Sequence, residues 1–246
     1  QAQGNRLGFK GVEDLGNGLK AVFLLENGIG LDNNSDTTNA TNRSSTFVRQ
    51  AYAGLTGNFG TLIGGRLYTP HFSFVSAIEP FAAGTVGRYA NVYGGTVGGD
   101  VVRVDNAVAY VSPSFGGFTV TGAYSNNLVG QESLIDNSRN TTVYALLGRY
   151  QGAGVDAGIS MHRAAGSTTD AFQSIDNVTV GGSFDAKVVK IAALYGYNNT
   201  NMNTGAKDVR IDNYMLGLTV PVGKVDIKAS YIYSDGNNAA GGNAQQ

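Results

Sequence analysis

The residues best suited to chemistry in this sequence are arginines that alternate with apolar residues along short segments. Successive side chains of a β-strand point to opposite faces. On that basis Arg66 lies opposite Ile63 and Leu67, so it is predicted to face water while they face an apolar phase. Two further arginines, Arg6 and Arg103, are placed in the same way. Guanidinium charges that face water are suited to electrostatic contacts with anions.

Motifs for cofactor, metal or catalytic chemistry are weak. The stretch 152–157 fits part of a dinucleotide fingerprint, but a predicted strand follows it where a helix is required. A stretch that begins like a calcium loop at Asp32 has Arg43 at the position of its last ligand, which leaves open only a loosely bound cation. His71 and His162 are far apart in the sequence and no Cys accompanies them. With no nucleophile elbow and no paired carboxylates on one strand, we predict no metal site, no cofactor and no enzymatic activity.

Composition narrows the class further. The 246 residues carry a formal net charge of −1, which argues against a nucleic-acid partner. The absence of Cys rules out disulfides and is compatible with an oxidising compartment. No apolar run approaches the roughly 18–20 residues of a membrane-spanning helix. There is no linker or break in composition, so residues 1–246 are predicted to form a single domain.

The elements that must position the arginines are strands with one apolar and one polar face. In the stretch 225–234, Val225, Ile227 and Tyr231 share one face, whereas Lys228 and Ser230 share the other. Segments of about ten residues with this pattern are typical of a transmembrane β-barrel with an apolar outside and a polar lumen. Twelve such strands are predicted: Arg6–Asp14, Leu19–Gly30, Thr46–Gly57, Thr61–Tyr68, Val102–Ser112, Phe118–Asn126, Thr141–Gln151, Val155–Arg163, Asn177–Asp185, Val188–Asn198, Val209–Val220 and Lys224–Ser234.

Connections alternate between tight turns and long polar loops. The turns are predicted to share one end of the sheet: Gly16–Gly18, Phe59–Gly60, Pro113–Gly117, Gly152–Gly154 and Pro221–Gly223. The loops around Asn39, Asn137, Thr169 and Asn203 are predicted at the other end. Because residues 237–246 have the composition of a loop and a barrel must pair both of its edges, we expect further strands beyond this sequence.

Several strings closely resemble the Gram-negative general-diffusion porins, the trimeric sixteen-stranded outer-membrane barrels. They occur in family order in the first half: Arg6–Ala21, Arg49–Leu55, Phe59–Thr61, Gly65–Tyr68, Arg103–Tyr110 and Ser112–Gly117. The second half matches only in the spacing of its strands and turns. The resemblance implies an all-β, antiparallel transmembrane barrel in which the 12 strands correspond to the second through thirteenth of the family.

The resemblance also implies a constriction and the residues that form it. The 33-residue segment Thr69–Val101 stands where the family has a loop that folds into the pore. The basic wall of that constriction falls on Arg6, Arg66 and Arg103, with Lys20 and Arg49 as further candidates. The opposing loop usually offers several carboxylates, whereas here it contains only Glu79 and Asp100. Three arginines against one or two acids favour anions.

The function implied is passive diffusion of small hydrophilic solutes and ions, with mild anion selectivity, through the outer membrane of a Gram-negative bacterium. The implied partners are membrane lipid and two copies of the same chain, with the early strands at the interface and the loop Leu31–Ser45 latched onto a neighbour. Ala51, Ile63 and Gly65 are expected to face outward there. Two alternatives remain: a channel specific for phosphate or organic acids, and a soluble all-β binding module.

Overall fold

The computed structural model describes residues 5–29, 47, 49–84, 87–89, 101–128, 130, 138, 140–203, 205, 208–237 and 243–245. Within them the chain forms thirteen strands and one helix. The strands are β1 (Asn5–Gly16), β2 (Leu19–Ile29), β3 (Gln50–Gly57), β4 (Gly60–Tyr68), β5 (Arg103–Val111), β6 (Phe118–Ser125), β7 (Thr142–Gly152), β8 (Val155–Ala165), β9 (Phe172–Asp185), β10 (Lys190–Met202), β11 (Val209–Val222), β12 (Val225–Asn237) and β13 (Asn243–Gln245). The helix, α1 (Pro70–Ile78), follows β4.

All strands belong to one sheet in which each strand pairs antiparallel with its neighbour in sequence. Every connection that follows an odd-numbered strand therefore lies at one end of the sheet, called here the turn end. The others lie at the opposite end, called the loop end. This order confirms the predicted separation of tight turns from long loops. Three of the turns have positive φ at both central residues, which suits two-residue hairpins of right-handed twist: Asn17-Gly18, Gly116-Gly117 and Ala153-Gly154.

The two faces of the sheet have opposite chemistry. Outward-facing Ile227 is 60% exposed and Tyr231 is 67% exposed, whereas Ser230 between them donates a hydrogen bond to the carbonyl of Gly87 on the far side. We call the face that carries Ser230 and α1 the inner face. Its fully buried side chains include many polar ones, among them Ser160, Thr179, Asn177, Asn198 and Asn213. The wall is thus apolar outside and polar inside, as predicted.

The helix α1 was not predicted, since the sequence suggested only a long loop. Thr69 caps it by accepting a hydrogen bond from the N–H of Phe72 at 3.1 Å, and Pro70 occupies its first turn, where no N–H partner is needed. Phe74 and Ile78 lie one turn apart and are fully buried. Tertiary packing therefore stabilises a helix too short to form alone.

One apolar cluster holds α1 against the inner wall. It joins three helix residues to β7, β10 and β11, and its members are Phe74, Val75, Ile78, Tyr89, Leu147, Ala192, Leu194 and Met215. Pro80, just after the helix, approaches β11 so closely that a Cβ on Gly217 would lie 2.6 Å from its Cγ. The segment after β4 therefore crosses the interior from β4 toward β12.

The face of β4 differs from the prediction. Leu62 is exposed and pairs with exposed Tyr110, whereas Ile63 pairs with buried Ala109. Ile63 packs against an apolar cluster that includes Val143. Val143 shares the inner face of β7 with Leu147, so Ile63 faces inward.

Gly65 pairs with Tyr52, on the same side as Ile63. The expected outward position of Ile63 and Gly65 was therefore wrong. An irregular register at the end of β4, where Gly65 has φ +136° and Asn106 of β5 has φ +49°, explains why simple alternation failed there.

Other differences concern the ends of strands. Strand β9 begins at Phe172 and β10 extends to Met202, because their polar ends continue to pair with each other beyond the predicted limits. Residues 243–245, predicted as loop, pair with β12 as the short β13. Among the described residues, no helix combines the length and apolar character needed to cross a membrane.

We predict that Phe74→Ala will detach α1 from the wall. Phe74 is fully buried in the cluster, and truncation of a buried Phe to Ala costs about 3–5 kcal/mol. Hydrogen exchange of the α1 amides should accelerate strongly, while exchange in β7 and β10 changes little. Exposed Ser73→Ala is the matched control and should leave α1 protected. Equal protection in both variants would contradict the packing described.

Candidate functional site

Five strand ends at the loop end of β1–β5 bring a cluster of arginines together. Glu26 of β2 shares the inner face with Leu24, which pairs with Tyr52. Its Oε1 accepts a hydrogen bond from Nε of Arg49 at 2.7 Å, and its Oε2 lies 3.9 Å from Nη1 of Arg6. One carboxylate thus links two of the predicted basic residues, and Arg49 becomes buried.

Tyr68, the last residue of β4, extends this cluster to β5. Its hydroxyl accepts hydrogen bonds from Nη2 of Arg49 at 2.6 Å and from Nη2 of Arg103 at 3.2 Å. The guanidinium carbon of Arg103 lies 4.8 Å from the centre of the Tyr68 ring, a cation–π arrangement. The same ring lies 4.8 Å from that of Phe72 in α1. Tyr68 therefore positions two arginines beside the start of the inner helix.

Arg66 is held separately, by Asp105 of β5. Its Nη1 donates a short hydrogen bond to Oδ1 of Asp105, and Oδ2 accepts from the N–H of Gly130 at 2.8 Å. The charge of Arg66 nevertheless acts on Arg103, as does that of Arg49. Arg6, Arg49, Arg66 and Arg103 thus form one electrostatic group.

The cluster keeps an excess of positive charge. Among the described residues of the cluster, four guanidinium charges minus the two carboxylates of Glu26 and Asp105 leave a net charge of +2. In the part of the chain that the structure describes, Arg103 has no carboxylate within ion-pair distance, and its buried Nε has no hydrogen-bond partner. Arg103 is therefore the arginine whose charge is least compensated.

The acidic side of the predicted constriction differs from expectation. Glu79 caps the C-terminus of α1 and is only 5% exposed. Its Oε1 accepts a hydrogen bond from the N–H of Ala83, and its Oε2 from that of Tyr89, both at 2.5 Å. Its carboxylate therefore folds its own loop instead of opposing the arginines across the lumen. Asp100 lies outside the described residues.

The buried position of Glu79 also disfavours the ionised form of its carboxyl group. Burial raises the pKa of the Glu79 carboxyl, although the hydrogen bonds from Tyr89 and Ala83 and the charge of Arg88 act in the opposite direction. Arg88 itself is exposed on the loop. Among the described residues of this segment, the exposed charged side chain is thus a cation, whereas the family resemblance implied acids.

Lys20 does not join the cluster. It lies at the turn end of β2, where it pairs with Asp14 and Thr56. Six residues along the strand separate it from Glu26, which corresponds to about 20 Å. Lys20 is exposed on the inner face, so it belongs to the opposite mouth of the wall.

Sequence reasoning missed four residues of the site: Glu26, Tyr68, Arg88 and Asp105. The even-numbered positions shared by Lys20 and Glu26 on β2 could have revealed Glu26, because alternation places both on one face. Asp105 lies two residues from Arg103 in the sequence, but its partner is Arg66 of the neighbouring strand. No pattern in the sequence indicates that Tyr68 joins two arginines.

The two histidines, far apart in sequence, are neighbours in the fold. The rings of His71 and His162 lie 5.4 Å apart between α1 and β8. Across the described ranges, no group of three or more His, Cys, Asp or Glu residues could hold a metal ion.

Aromatic side chains form two bands on the outer surface. One crosses β10–β12 toward the loop end, where the Tyr195 and Tyr214 rings lie 5.2 Å apart and Tyr233 follows at 6.2 Å. The other lies at the turn end, where the Phe118 and Tyr150 rings are 4.7 Å apart. Aromatic bands that flank an apolar zone mark the two interfaces of a membrane. Together with the polar inner face, they define the wall of a transmembrane β-barrel.

Comparison with known proteins gives the family. The family model described as Gram-negative porin matches residues 1–246, and the chain belongs to this family. It is 30% identical to outer membrane porin protein 32 of Delftia acidovorans over 95% of this chain and 66% of that protein. It is also 30% identical to an outer membrane porin of Bordetella pertussis over 89% of this chain and 64% of that protein. The chain thus spans just under two-thirds of the length of these relatives.

Solved structures agree with the fold. An anion-selective porin from Comamonas acidovorans is 27% identical and superposes with a TM-score of 0.80, covering 99% of this chain and 72% of that one. The trimer form of OmpT from Vibrio cholerae, at 15% identity, has a TM-score of 0.72 over 99% of this chain and 73% of its own, which supports the fold alone.

We predict that Glu79→Gln will loosen the loop after α1. A glutamine side chain has one acceptor oxygen, so either Ala83 or Tyr89 loses the acceptor for its N–H. The lost bond should lower the local opening free energy by about 1–3 kcal/mol. Hydrogen exchange at the amides of Ala83 and Tyr89 measures this opening free energy. Exposed Glu13→Gln on β1 is the matched control, and unchanged exchange in Glu79→Gln would contradict the assigned role.

Proposed function

We propose that the protein carrying this chain is an outer-membrane channel for passive diffusion of small hydrophilic solutes and ions, that it is mildly anion-selective, and that it performs no reaction. The observation that carries this proposal is the net +2 charge of the arginine cluster on the inner face. The relative described as an anion-selective porin supports the sign of the selectivity.

The inner wall provides the path. The side chains of Lys10, Lys20 and Lys228 are exposed on the inner face, so a hydrated solute would meet groups that replace some of its water. The outward apolar face would meet lipid. A soluble binding module is disfavoured, because it would expose side chains such as Phe9 and Leu216 to water at more than half of their surface.

The segment Thr69–Val101 would form the constriction. Its helix starts beside Tyr68 and packs across the inner face of β7–β11, so solutes would pass between the body of the helix and the arginine wall. Arg88, exposed on the loop, would add positive charge to the opposite side. In this proposal residues 1–246 form part of one barrel domain, with this segment as its inward loop.

The compensation inside the arginine cluster would keep selectivity mild. Glu26 and Asp105 neutralise half of the four guanidinium charges. At physiological salt the Debye length is about 8 Å, comparable with the half-width of a narrow pore, so the remaining charge is only partly screened. Anions would therefore be enriched at the constriction, whereas cations would be reduced but still admitted.

A second candidate is a channel specific for phosphate or organic acids. The succession of Arg6 on β1, Arg49 just before β3 and Arg103 on β5 favours it, because stepwise positions suit transfer of one anion between guanidinium groups. Conductance that saturates with such an anion, or chloride current blocked by it, would support the second candidate. A linear dependence would support general diffusion.

We predict that Arg103→Gln will shift selectivity toward cations. The net charge of the cluster falls from +2 to +1, and one unit charge about 8 Å from an ion contributes a few tenths of a kcal/mol after screening. The anion-to-cation permeability ratio should fall about two- to fivefold. The measurement is the reversal potential of the full-length protein in a potassium chloride gradient.

Two variants control this experiment. Glu26→Gln should shift the reversal potential in the opposite direction, because it removes a negative charge from the same cluster. Lys187→Gln removes a charge from the exposed β9–β10 turn and should have little effect. If Arg103→Gln and Lys187→Gln behaved alike, the arginine cluster would not set selectivity.

We also propose a homotrimer with the outer face of the early strands at its interface. Leu7, Phe9 and Leu62 form an exposed apolar surface on β1–β4, and Ala51 shares the outward side of β3 with Leu55. The loop Leu31–Ser45, predicted to latch onto a neighbour, lies outside the described residues. We predict that the full-length protein in mild detergent has the mass of three chains by light scattering, and a monomer would contradict this assembly.

A further inference from the structure

The only two histidines of the chain meet at the seam between α1 and the wall. His71 lies in the first turn of α1, and its Nδ1 is 3.0 Å from Oγ of Ser160 in β8. The ring of His162, two residues further along β8, stands edge-on to that of His71 at 5.4 Å. His71 is 1% exposed and His162 is 3% exposed. Two imidazoles therefore share one buried contact between the inner helix and the barrel wall.

The seam is suited to neutral imidazoles. Neither ring nitrogen of His162 has a hydrogen-bond partner, and no carboxylate lies within ion-pair distance of this ring among the described residues. Nothing there would stabilise a positive charge on His162. A proton on His71 would in turn face another imidazole at close range, and two cations so placed would repel each other.

Charged groups on the strands that pack against α1 lie elsewhere. The register places Arg149 of β7 and Asp156 of β8 on the inner face toward the turn end, where Nη2 of Arg149 and Oδ2 of Asp156 are 2.5 Å apart and neutralise each other. Asp185 of β9 pairs with Lys190 of β10 at the same end. The described inner face of β6 carries no titratable side chain.

Within the loop itself, Glu79 lies eight residues beyond His71, which is about 12 Å along the helix. Arg88 acts on Glu79. Arg49 and Arg103 also lie beside the start of α1, through Tyr68, but a guanidinium group is not deprotonated in proteins. Among the described residues, the histidine pair is thus the element at the start of α1 whose charge can change between pH 5 and pH 8.

We propose that His71 and His162 form a protonation-sensitive latch, which holds α1 against the wall at neutral pH and releases it in acid. The consequence for conduction rests on the channel function proposed above. Release would free a helix that packs inside the barrel, so the loop would move into the path of solutes and interrupt the current.

The direction of the pH effect follows from the linkage between protonation of His71 and docking of α1. Burial, followed by the proximity of His162, lowers the pKa of His71 well below its usual value. In the released loop the ring is exposed to water and its pKa returns to about 6.5. Docking is therefore at full strength above about pH 6.5 and weakens as the pH falls toward the lower pKa of the docked state. Each pH unit in that window reduces the ratio of docked to released loop by up to about tenfold.

Hydrogen exchange of the α1 amides in the full-length protein tests the latch directly. Protection factors, corrected for the intrinsic effect of pH, should fall about tenfold between pH 7.5 and pH 5.5. His71→Gln keeps a side chain that can bond to Ser160 but takes up no proton, so its protection should fall less than that of the parent. The double variant His71→Gln, His162→Gln removes both titrating imidazoles, and its protection should vary less than about twofold over this range. The titration of Glu79 is present in all three proteins and cannot produce the differences between them.

Ser160→Ala is the matched control. It removes the hydrogen bond to His71 but keeps both imidazoles, so protection should be lower at every pH with the same pH dependence as the parent. A flat profile in the parent, or the same profile in His71→Gln and the parent, would overturn the latch.

Single-channel recording then separates the latch from the channel function. The parent should show closures that become more frequent below pH 6.5, and the double variant His71→Gln, His162→Gln should not. A protein that shows the exchange profile but conducts no ions would refute the channel function and leave the latch standing. A conducting protein with a flat exchange profile would refute the latch alone.

Discussion

The structure depends on one constraint: in hydrocarbon, every backbone polar group must find its partner within the protein. Neighbouring strands satisfy it here by pairing in sequence order through the whole sheet. Once the backbone is satisfied, the side chains divide by face, so Ile227 and Tyr231 are exposed while Thr179 and Asn213 are buried. The usual distribution of a soluble protein is inverted, and hydrophilic groups become available to line an interior.

That interior is not uniformly polar, and its apolar part has a specific use. Leu147, Leu194 and Met215 interrupt the polar inner face and receive Phe74 and Ile78 of α1. The patch anchors the loop on one side of the interior. The arginines on β1–β5 consequently remain on the side that the helix does not cover.

Carboxylates have different partners on the arginine side and on the loop side of the interior. On the arginine side, Glu26 and Asp105 are interleaved with the guanidinium groups, so repulsion is relieved within the wall itself. On the loop side, Glu79 gives both oxygens to backbone N–H groups and stabilises the turn after α1. Carboxylates thus organise both surfaces. Of the two uncompensated charges of the cluster, one rests on Arg103 and the other is shared by Arg6 and Arg49 around Glu26.

The sequence by itself determined the class of fold, the order of turns and loops, and most strands, because alternation and turn residues are local properties. It also indicated Arg6, Arg49, Arg66 and Arg103 through their strands and the family resemblance. Only the tertiary structure decided the partners. Tyr68 joins Arg49 to Arg103, and His71 meets His162, through contacts between residues distant in the chain. Glu79 turned inward and Ile63 changed face for the same reason: long-range packing and an irregular register override local pattern.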